Sequence, residues 1–316
     1  MTKTFNLKQI KEALENIDAV KVIEEGFVAY SQGRVVVPPV GEMIFENPPG
    51  EIHIKYGFIK NDDYYVIKIA SGFYENYKIN MPANSGLMLL FNQKNGNLSC
   101  ILFDEGWLTA VRTAAAGAVV AKYMAPKNVH CIGIFGAGVQ GRLQLQYLES
   151  IINCNQIIVW GVNQAELDAY RKDMEPYGYN IETTLEPDYI TSNCNFIVTA
   201  TPSKTPLVKS DLVLKGTHIT AMGSDTAEKQ ELDSMILKNA DIVVADSISQ
   251  CKLRGEIYKA LKAGVLKEND LVELGNVIVN KELQRTSDDQ TTVADLTGVA
   301  VQDYQISKAV YEALNS

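Results

Sequence analysis

Apolar and polar positions change their rhythm twice along the chain. Over residues 7–32, Leu7, Ile10, Leu14, Val20, Ile23, Phe27 and Val28 recur at helical spacing. Asn16-Ile17-Asp18 interrupts that pattern, so two successive helices are expected. From 41 to 103 the apolar positions alternate or run together. Met43–Phe45, Ile52–Ile59 and Tyr64–Ile69 read as strands, and Leu87–Phe91 and Leu98–Phe103 flank Asn95-Gly96, a strong hairpin signal. An alanine-rich helix over 106–124 follows. From Val129 onward short apolar runs (129–135, 156–160, 195–200, 217–222 and 241–245) alternate with helical stretches such as Gln164–Met174 and Glu231–Leu237. The stretch 303–314 is a last amphipathic helix. This order predicts an α/β protein: an α+β domain with an antiparallel sheet over 1–122, rejoined by the C-terminal helix 301–316, and a doubly wound parallel sheet over 123–300.

One segment gives that second domain a chemistry. Gly136-x-Gly138-x-x-Gly141 follows the run Val129–Phe135 and opens the helical pattern Arg142–Leu148. A strand, a glycine turn and a helix in this order make the Rossmann dinucleotide cradle. The first glycine permits the turn, the second admits a pyrophosphate to the backbone, and the third lets helix and strand touch. The helix N-terminus turns free N–H groups toward the phosphates, with Val139 and Gln140 at its start. The next strand ends in Gly161-Val162-Asn163, where the cofactor ribose is expected. That turn has neither a carboxylate to repel a 2′-phosphate nor an arginine to bind one. The missing repulsion favours NADP(H) slightly over NAD(H). Arg142 reads equally well as a phosphate ligand or a solvated first-turn arginine.

Composition narrows the rest. The chain has 316 residues, 46% hydrophobic and 21% charged, enough for about two domains with cores of their own. A formal net charge of −9 argues against a nucleic-acid partner. No window is apolar enough for a membrane helix, and residues 1–6 lack the core of a signal peptide. Five scattered cysteines without CxxC suit reduced thiols in the cytoplasm, and three histidines without paired spacing predict no metal site.

Four further segments contain candidate chemistry. Arg112 sits in Val111-Arg112-Thr113-Ala114-Ala115-Ala116, a small-residue helix that lets a carboxylate approach a guanidinium. Lys68 interrupts the apolar strand Tyr65–Ala70; alternation alone turns it toward solvent. Met222-Gly223-Ser224-Asp225 follows a strand at the carboxyl edge, where doubly wound folds bind ligands, so Asp225 is a proton-transfer candidate or a helix cap. Asp295-Leu296-Thr297-Gly298 is a small-residue loop before the last helix, and Thr297 and Gly298 are counted with the cofactor site.

RTAAA at 112–116, GAGVQG at 136–141, Gly223-Ser224-Asp225 with the stretch to Asp233, and Asp295-Leu296-Thr297-Gly298 with Asp303 behind it resemble the ornithine cyclodeaminase/μ-crystallin family over essentially the whole length. The resemblance implies a Rossmann domain plus an α+β domain that binds substrate and dimerises, and an NAD(P)-dependent enzyme acting on a small amino or imino acid. It implies that Arg112 grips the substrate carboxylate with Arg34 and Lys68 as cationic helpers. It also implies that Thr113 contacts a cofactor phosphate, that Thr199, Ala200 and Thr201 lie along the ribose, and that Asp225 is the catalytic aspartate at the nicotinamide, beside Met222 and Gly223. Cyclodeaminases of the family have a glutamate in the strand before the lysine. Here His53 or Lys55 stands there, which weakens the case for ornithine. The reading is therefore reduction of a cyclic imino acid such as Δ1-pyrroline-2-carboxylate to L-proline by a homodimer. Alternatives are ornithine cyclodeaminase, an alanine-dehydrogenase-like enzyme and a non-catalytic NADPH-binding protein.

Overall fold

The computed structural model describes residues 2–73 and 75–315. Two compact units divide the chain, Met1–Thr113 with Val299–Ser316, and Ala114–Gly298. The first division falls inside the helix Trp107–Met124, upstream of the residue 122 read from sequence, because a continuous helix gives no breaking signal within itself.

The first unit begins with two helices, Leu7–Leu14 and Ala19–Ser31. The break between them has a local cause. Asn6 closes a capping box with Gln9 at the first start, and the Asp18 carboxylate accepts from Lys21 N at the second. The sheet runs Lys3–Phe5, Leu98–Leu102, Asn84–Asn92, Tyr64–Gly72, Pro49–Ile59, Val35–Val36, with Gly41–Glu46 also paired to Pro49–Ile59. All its pairings are antiparallel except that of the first strand. The C-terminal helix Ala300–Ala313 covers one face. Its Ser307 hydroxyl reaches Met88 Sδ at 2.8 Å, and its Gln305 amide donates to Val22 O at 3.0 Å in the helix behind. The covered side of Pro49–Ile59 presents His53, Lys55, Gly57 and Ile59 in alternation, all buried.

The second unit is an eight-stranded, wholly parallel sheet. Its order is Asn180–Thr184, Gln156–Trp160, Ile132–Phe135, Phe196–Thr199, His218–Ala221, Thr292–Asp295, Ile242–Ala245, Leu271–Glu273. The chain winds outward from Ile132–Phe135 in one direction, then returns to start again at Phe196–Thr199. The crevice at the carboxyl ends of those two strands is therefore the switch point where such folds bind ligands. The polar strand Asn180–Thr184 and the short Leu271–Glu273 lie at the two edges and have no strong apolar run to announce them. The helix expected over 231–237 starts later, at Ser234, because the Asp233 carboxylate caps it by accepting from Met235 N at 2.9 Å. No helix among the described residues is long and apolar enough to cross a membrane.

A Cβ added at Gly57 would lie 2.7 Å from the Val36 carbonyl oxygen and 3.5 Å from Ala300 Cβ. Gly57→Ala is expected to destabilise the protein by ~1–3 kcal/mol through overpacking. Calorimetry checks this; an unchanged melting temperature would show that the strand and the final helix have slack there.

Candidate active site

The first unit buries a group of cations beneath its final helix. Lys68 is only 2% exposed: it shares the covered face of Tyr64–Gly72 with Val66, so the alternation that suggested solvent ran the other way. Directly across the ladder from it stands Lys55, also buried. Like charges paired across strands repel. A carboxylate is built in beside them: Asp303, in the first turn of Ala300–Ala313, is fully buried, with Oδ2 3.6 Å from Lys68 Nζ and Oδ1 3.0 Å from Arg112 Nε. Arg112 Nη1 donates to Gln302 Oε1 at 2.8 Å. The Asp303 contacts are ion pairs without aligned hydrogen-bond geometry. The contacts to Asp303 and Gln302 engage two of the five N–H groups of a guanidinium. Asp104 caps the arginine helix by accepting from Leu108 N at 2.8 Å, and burial raises its carboxyl pKa above the usual range.

The register separates the two residues that sequence left as alternatives. Lys55 faces Lys68, whereas His53 pairs with Ala70 and lies between two glutamates, Nδ1 3.5 Å from Glu42 and Nε2 3.6 Å from Glu51. Arg34 is not brought to this group. It is exposed on the turn before Val35–Val36, where its Nε donates to Gln32 Oε1 at 2.9 Å. Thr113 directs its hydroxyl back to Thr109 O at 2.8 Å.

In the second unit each glycine of the motif has a distinct geometric task. Gly136 adopts φ +112°, and a Cβ there would sit 2.8 Å from Ala200 O. A Cβ at Gly141 would fall 2.1 Å from Gly136 O, so only glycine lets the helix pack on the turn. At Gly138 a Cβ would meet nothing within 4 Å: this backbone borders open space. Gly138 caps the helix Val139–Leu148 without any side-chain bond to the first-turn N–H groups, and Val139 is exposed. The arrangement suits a pyrophosphate. At the end of the next strand Gly161 is buried and Val162 exposed. Asn163 caps the following helix, accepting from Glu166 N at 2.9 Å and donating to Glu166 Oε1 at 2.8 Å. Arg142 is taken up by Asp173, with Nε and Nη2 each 2.9 Å from Oδ2, and by the carbonyls of Ala137 and Gly138.

Beneath the loops that follow the strands Phe196–Thr199, His218–Ala221 and Thr292–Asp295 lies a layer of buried acids whose partners the sequence did not show. Glu231 accepts from Thr199, Thr201 and Gly223. Asp246 accepts from Thr297 Oγ1 at 3.1 Å and from Gly298 N at 2.7 Å. Glu256 accepts from Glu231 N at 2.7 Å, and Asp295 from Ile257 N at 2.8 Å. Burial, then repulsion from Glu231, pushes Glu256 up to about 8; burial takes Glu231 to about 7 and Asp295 well above its usual range. Asp225 lies in the loop after His218–Ala221, with Lys229 Nζ 2.7 Å from its Oδ1. Only Lys229 left a trace in the sequence, its spacing of four from Asp225.

Two outcomes follow from these charges. Asp303→Asn leaves Lys68 and Arg112 buried without their shared counter-ion and is expected to cost ~3–5 kcal/mol, read as a lowered melting temperature. Glu256 has a folded-state pKa above its unfolded one, so its contribution to stability is complete below about 4.5 and is lost as pH rises through about 8. Denaturant titrations of wild type against Glu256→Gln between pH 5 and 9 should show a fall that is steeper in the wild type by up to ~1.4 kcal/mol per pH unit, above what Glu231 and Asp295 give both proteins. Parallel curves would exclude Glu256 as its source.

Known proteins show the same organisation. A Sinorhizobium fredii protein described as an uncharacterized cyclodeaminase is 36% identical, aligned over 94% of this chain and 91% of its own. The solved archaeal alanine dehydrogenase dimer with bound NAD superposes with a TM-score of 0.89 at 31% identity, covering 99% of this chain and 95% of that one. The Thermococcus litoralis Δ1-pyrroline-2-carboxylate reductase in complex with NADH and L-proline gives a TM-score of 0.91 at 25% identity, covering 99% and 97%. The sequence pattern of the ornithine cyclodeaminase/mu-crystallin family matches residues 2–316, and the chain belongs to that family of nicotinamide-dependent enzymes.

Proposed function

We propose that this enzyme transfers hydride between a nicotinamide cofactor and the nitrogen-bearing carbon of a small amino or imino acid, working as a cyclic-imine reductase on a substrate such as Δ1-pyrroline-2-carboxylate and releasing L-proline. The observation that supports this reading most is the buried pair Lys68 and Lys55 on one sheet face and the buried helical Arg112, with Asp303 against Lys68 and Arg112. Arg112 binds the substrate carboxylate through the guanidinium edge turned away from Asp303, and Lys68 and Lys55 add charge attraction. Lys55 thus takes the helper role that the resemblance suggested for Arg34. Holding the carboxylate fixes the neighbouring C=N carbon for attack. Bound cofactor supplies the hydride in this direction. Asp225, oriented by Lys229, exchanges the proton on nitrogen, directly or through one water.

Two finer points belong to the same reading. The lean toward NADP(H) rested on the absence of a carboxylate after the second strand. Glu166, held by Asn163, brings one there from three residues into the helix, and Asp173 engages Arg142. Both favour NAD(H). A homodimer is supported by the strand Gly41–Glu46, which leaves Met43, Ile44 and Phe45 exposed together.

The cyclodeaminase alternative is disfavoured by Lys55. A second buried ammonium opposite Lys68 repels the side-chain ammonium of ornithine where a glutamate would attract it. The test is a set of cyclic imines, 2-oxo acids with ammonia, and L-ornithine, each with NAD(H) and NADP(H), followed by absorbance and by ammonia release. Cyclic-imine-dependent oxidation of NADH without ammonia release is expected. Proline and ammonia from ornithine with catalytic NAD+ would overturn the reductase reading. Arg112→Lys should lower kcat/KM by about a hundredfold with the cofactor dissociation constant unchanged, because an ammonium lacks the bidentate edge.

A further inference from the structure

We infer that Glu231 is the positioning residue that holds the cofactor-ribose loop and the Asp225 loop in one fixed relation. The inference rests on the proposed function, in that these loops serve a nicotinamide cofactor. Its basis is the number and kind of donors gathered on one carboxylate. Oε1 accepts from Thr201 N at 2.6 Å and Thr201 Oγ1 at 2.7 Å; Oε2 accepts from Thr199 Oγ1 at 2.8 Å and Gly223 N at 2.9 Å. The first loop follows the strand Phe196–Thr199 and the second follows His218–Ala221, its parallel neighbour. Both leave the sheet at its carboxyl edge, where backbone pairing ends. Beyond the last backbone bonds, from Met222 N at 3.0 Å and Gly223 N at 3.3 Å to Thr199 O, the carboxylate is the link between them.

Glu231 is itself fixed. It has no exposed surface, its N–H donates to Glu256 Oε1 at 2.7 Å, and its carbonyl accepts from Leu207 N at 2.7 Å and Val208 N at 3.0 Å. The loops meet so closely that a Cβ at Gly223 would lie 2.2 Å from Thr201 O and 2.7 Å from Glu231 Oε1. Asp225 is two residues beyond Gly223, so its placement follows from this clamp.

The donor set requires two acceptor oxygens. The threonine hydroxyls can turn round and accept; the backbone N–H groups of Thr201 and Gly223 cannot. One of these N–H groups points at each oxygen. A glutamine at 231 has nearly the same shape, yet in either orientation its NH2 faces one of the two backbone donors: Thr201 N then loses its acceptor, or Gly223 N retains only its 3.3 Å bond to Thr199 O. That loss, at a side chain with no exposed surface, corresponds to roughly a ten- to hundredfold effect on what the loops hold.

The experiment is Glu231→Gln in the full-length enzyme, with NADH binding followed by fluorescence and steady-state kinetics at saturating cofactor. The expected result is an NADH dissociation constant raised roughly tenfold or more and a lowered kcat, with the KM for the imino acid unchanged. Glu231→Asp, which retains two anionic acceptors on a shorter arm, should fall between the variant and the wild type. Wild-type dissociation constant and kcat in Glu231→Gln, even with a lower melting temperature, would overturn the inference by leaving Glu231 a purely structural role. Should Glu231→Gln fail to fold, Thr199→Val removes one donor at nearly constant volume, and the same two quantities decide: raised and lowered respectively supports the clamp, unchanged overturns it. If the wild type binds neither NADH nor NADPH, the proposed function itself fails and the inference falls with it; binding by the wild type separates the two cases.

Discussion

The first unit depends on one carboxylate. Asp303 has no contact with solvent, and Arg112 and Lys68 come to it from a helix and a strand far away in sequence. Buried cations cost several kcal/mol each when unpaired. Asp303 offsets that cost for two of them, so the final helix can close over the strands without expelling their charges. It also leaves the guanidinium edge of Arg112 beyond the Asp303 and Gln302 contacts to turn elsewhere. A single negative group thus allows the fold to keep positive charge in reserve. Under the proposed function, a substrate carboxylate meets cations already shielded and oriented, which is what preorganised electrostatics requires.

The second unit solves the reverse problem with the same means. Its loops at the carboxyl edge of the parallel sheet end in backbone N–H groups that the strands satisfy weakly or not at all. Buried acids satisfy them: Glu231 for Thr201 and Gly223, Asp246 for Gly298, Glu256 for Glu231 and Leu232. Each carboxylate joins loops that follow different strands. The cradle at Gly136–Gly141 needs none, because there the helix N-terminus faces the open space beside Gly138. Rigid acids under the loops and open donors at the cradle divide the work of ordering the protein and receiving a ligand.

How much of this could be read beforehand varies with the kind of signal. The parallel sheet and the glycine cradle were legible, since apolar runs and GxGxxG are local patterns. The strand Asn180–Thr184 was not, because an edge strand needs little apolar sequence. Arg112 was legible from its small-residue helix. Lys68 was misread by alternation and corrected by the family resemblance; what decides its burial is the return of a helix from the far end of the chain. Arg34 was placed with the cations by the family resemblance and lies exposed beside Gln32. Glu231, Asp246 and Glu256 look like surface acids in a chain with a net charge of −9, and only tertiary structure shows that each faces a donor.

The step from family to substrate turns on Lys55. A strand register that sets two lysines opposite each other is a poor choice for stability alone, since like charges across a ladder repel and a neutral or acidic residue would relieve them. If substrate binds on that side, as proposed, a negative group is favoured there. An amino acid with a cationic tail brings the wrong sign. A substrate whose only strong charge is a carboxylate, or which has a second one, brings the right sign. Sequence reasoning reached the same boundary by noting the missing glutamate. The register adds its direction to the proposed function: a lysine where a glutamate would attract an ammonium repels one instead, which favours substrates without a cationic side chain.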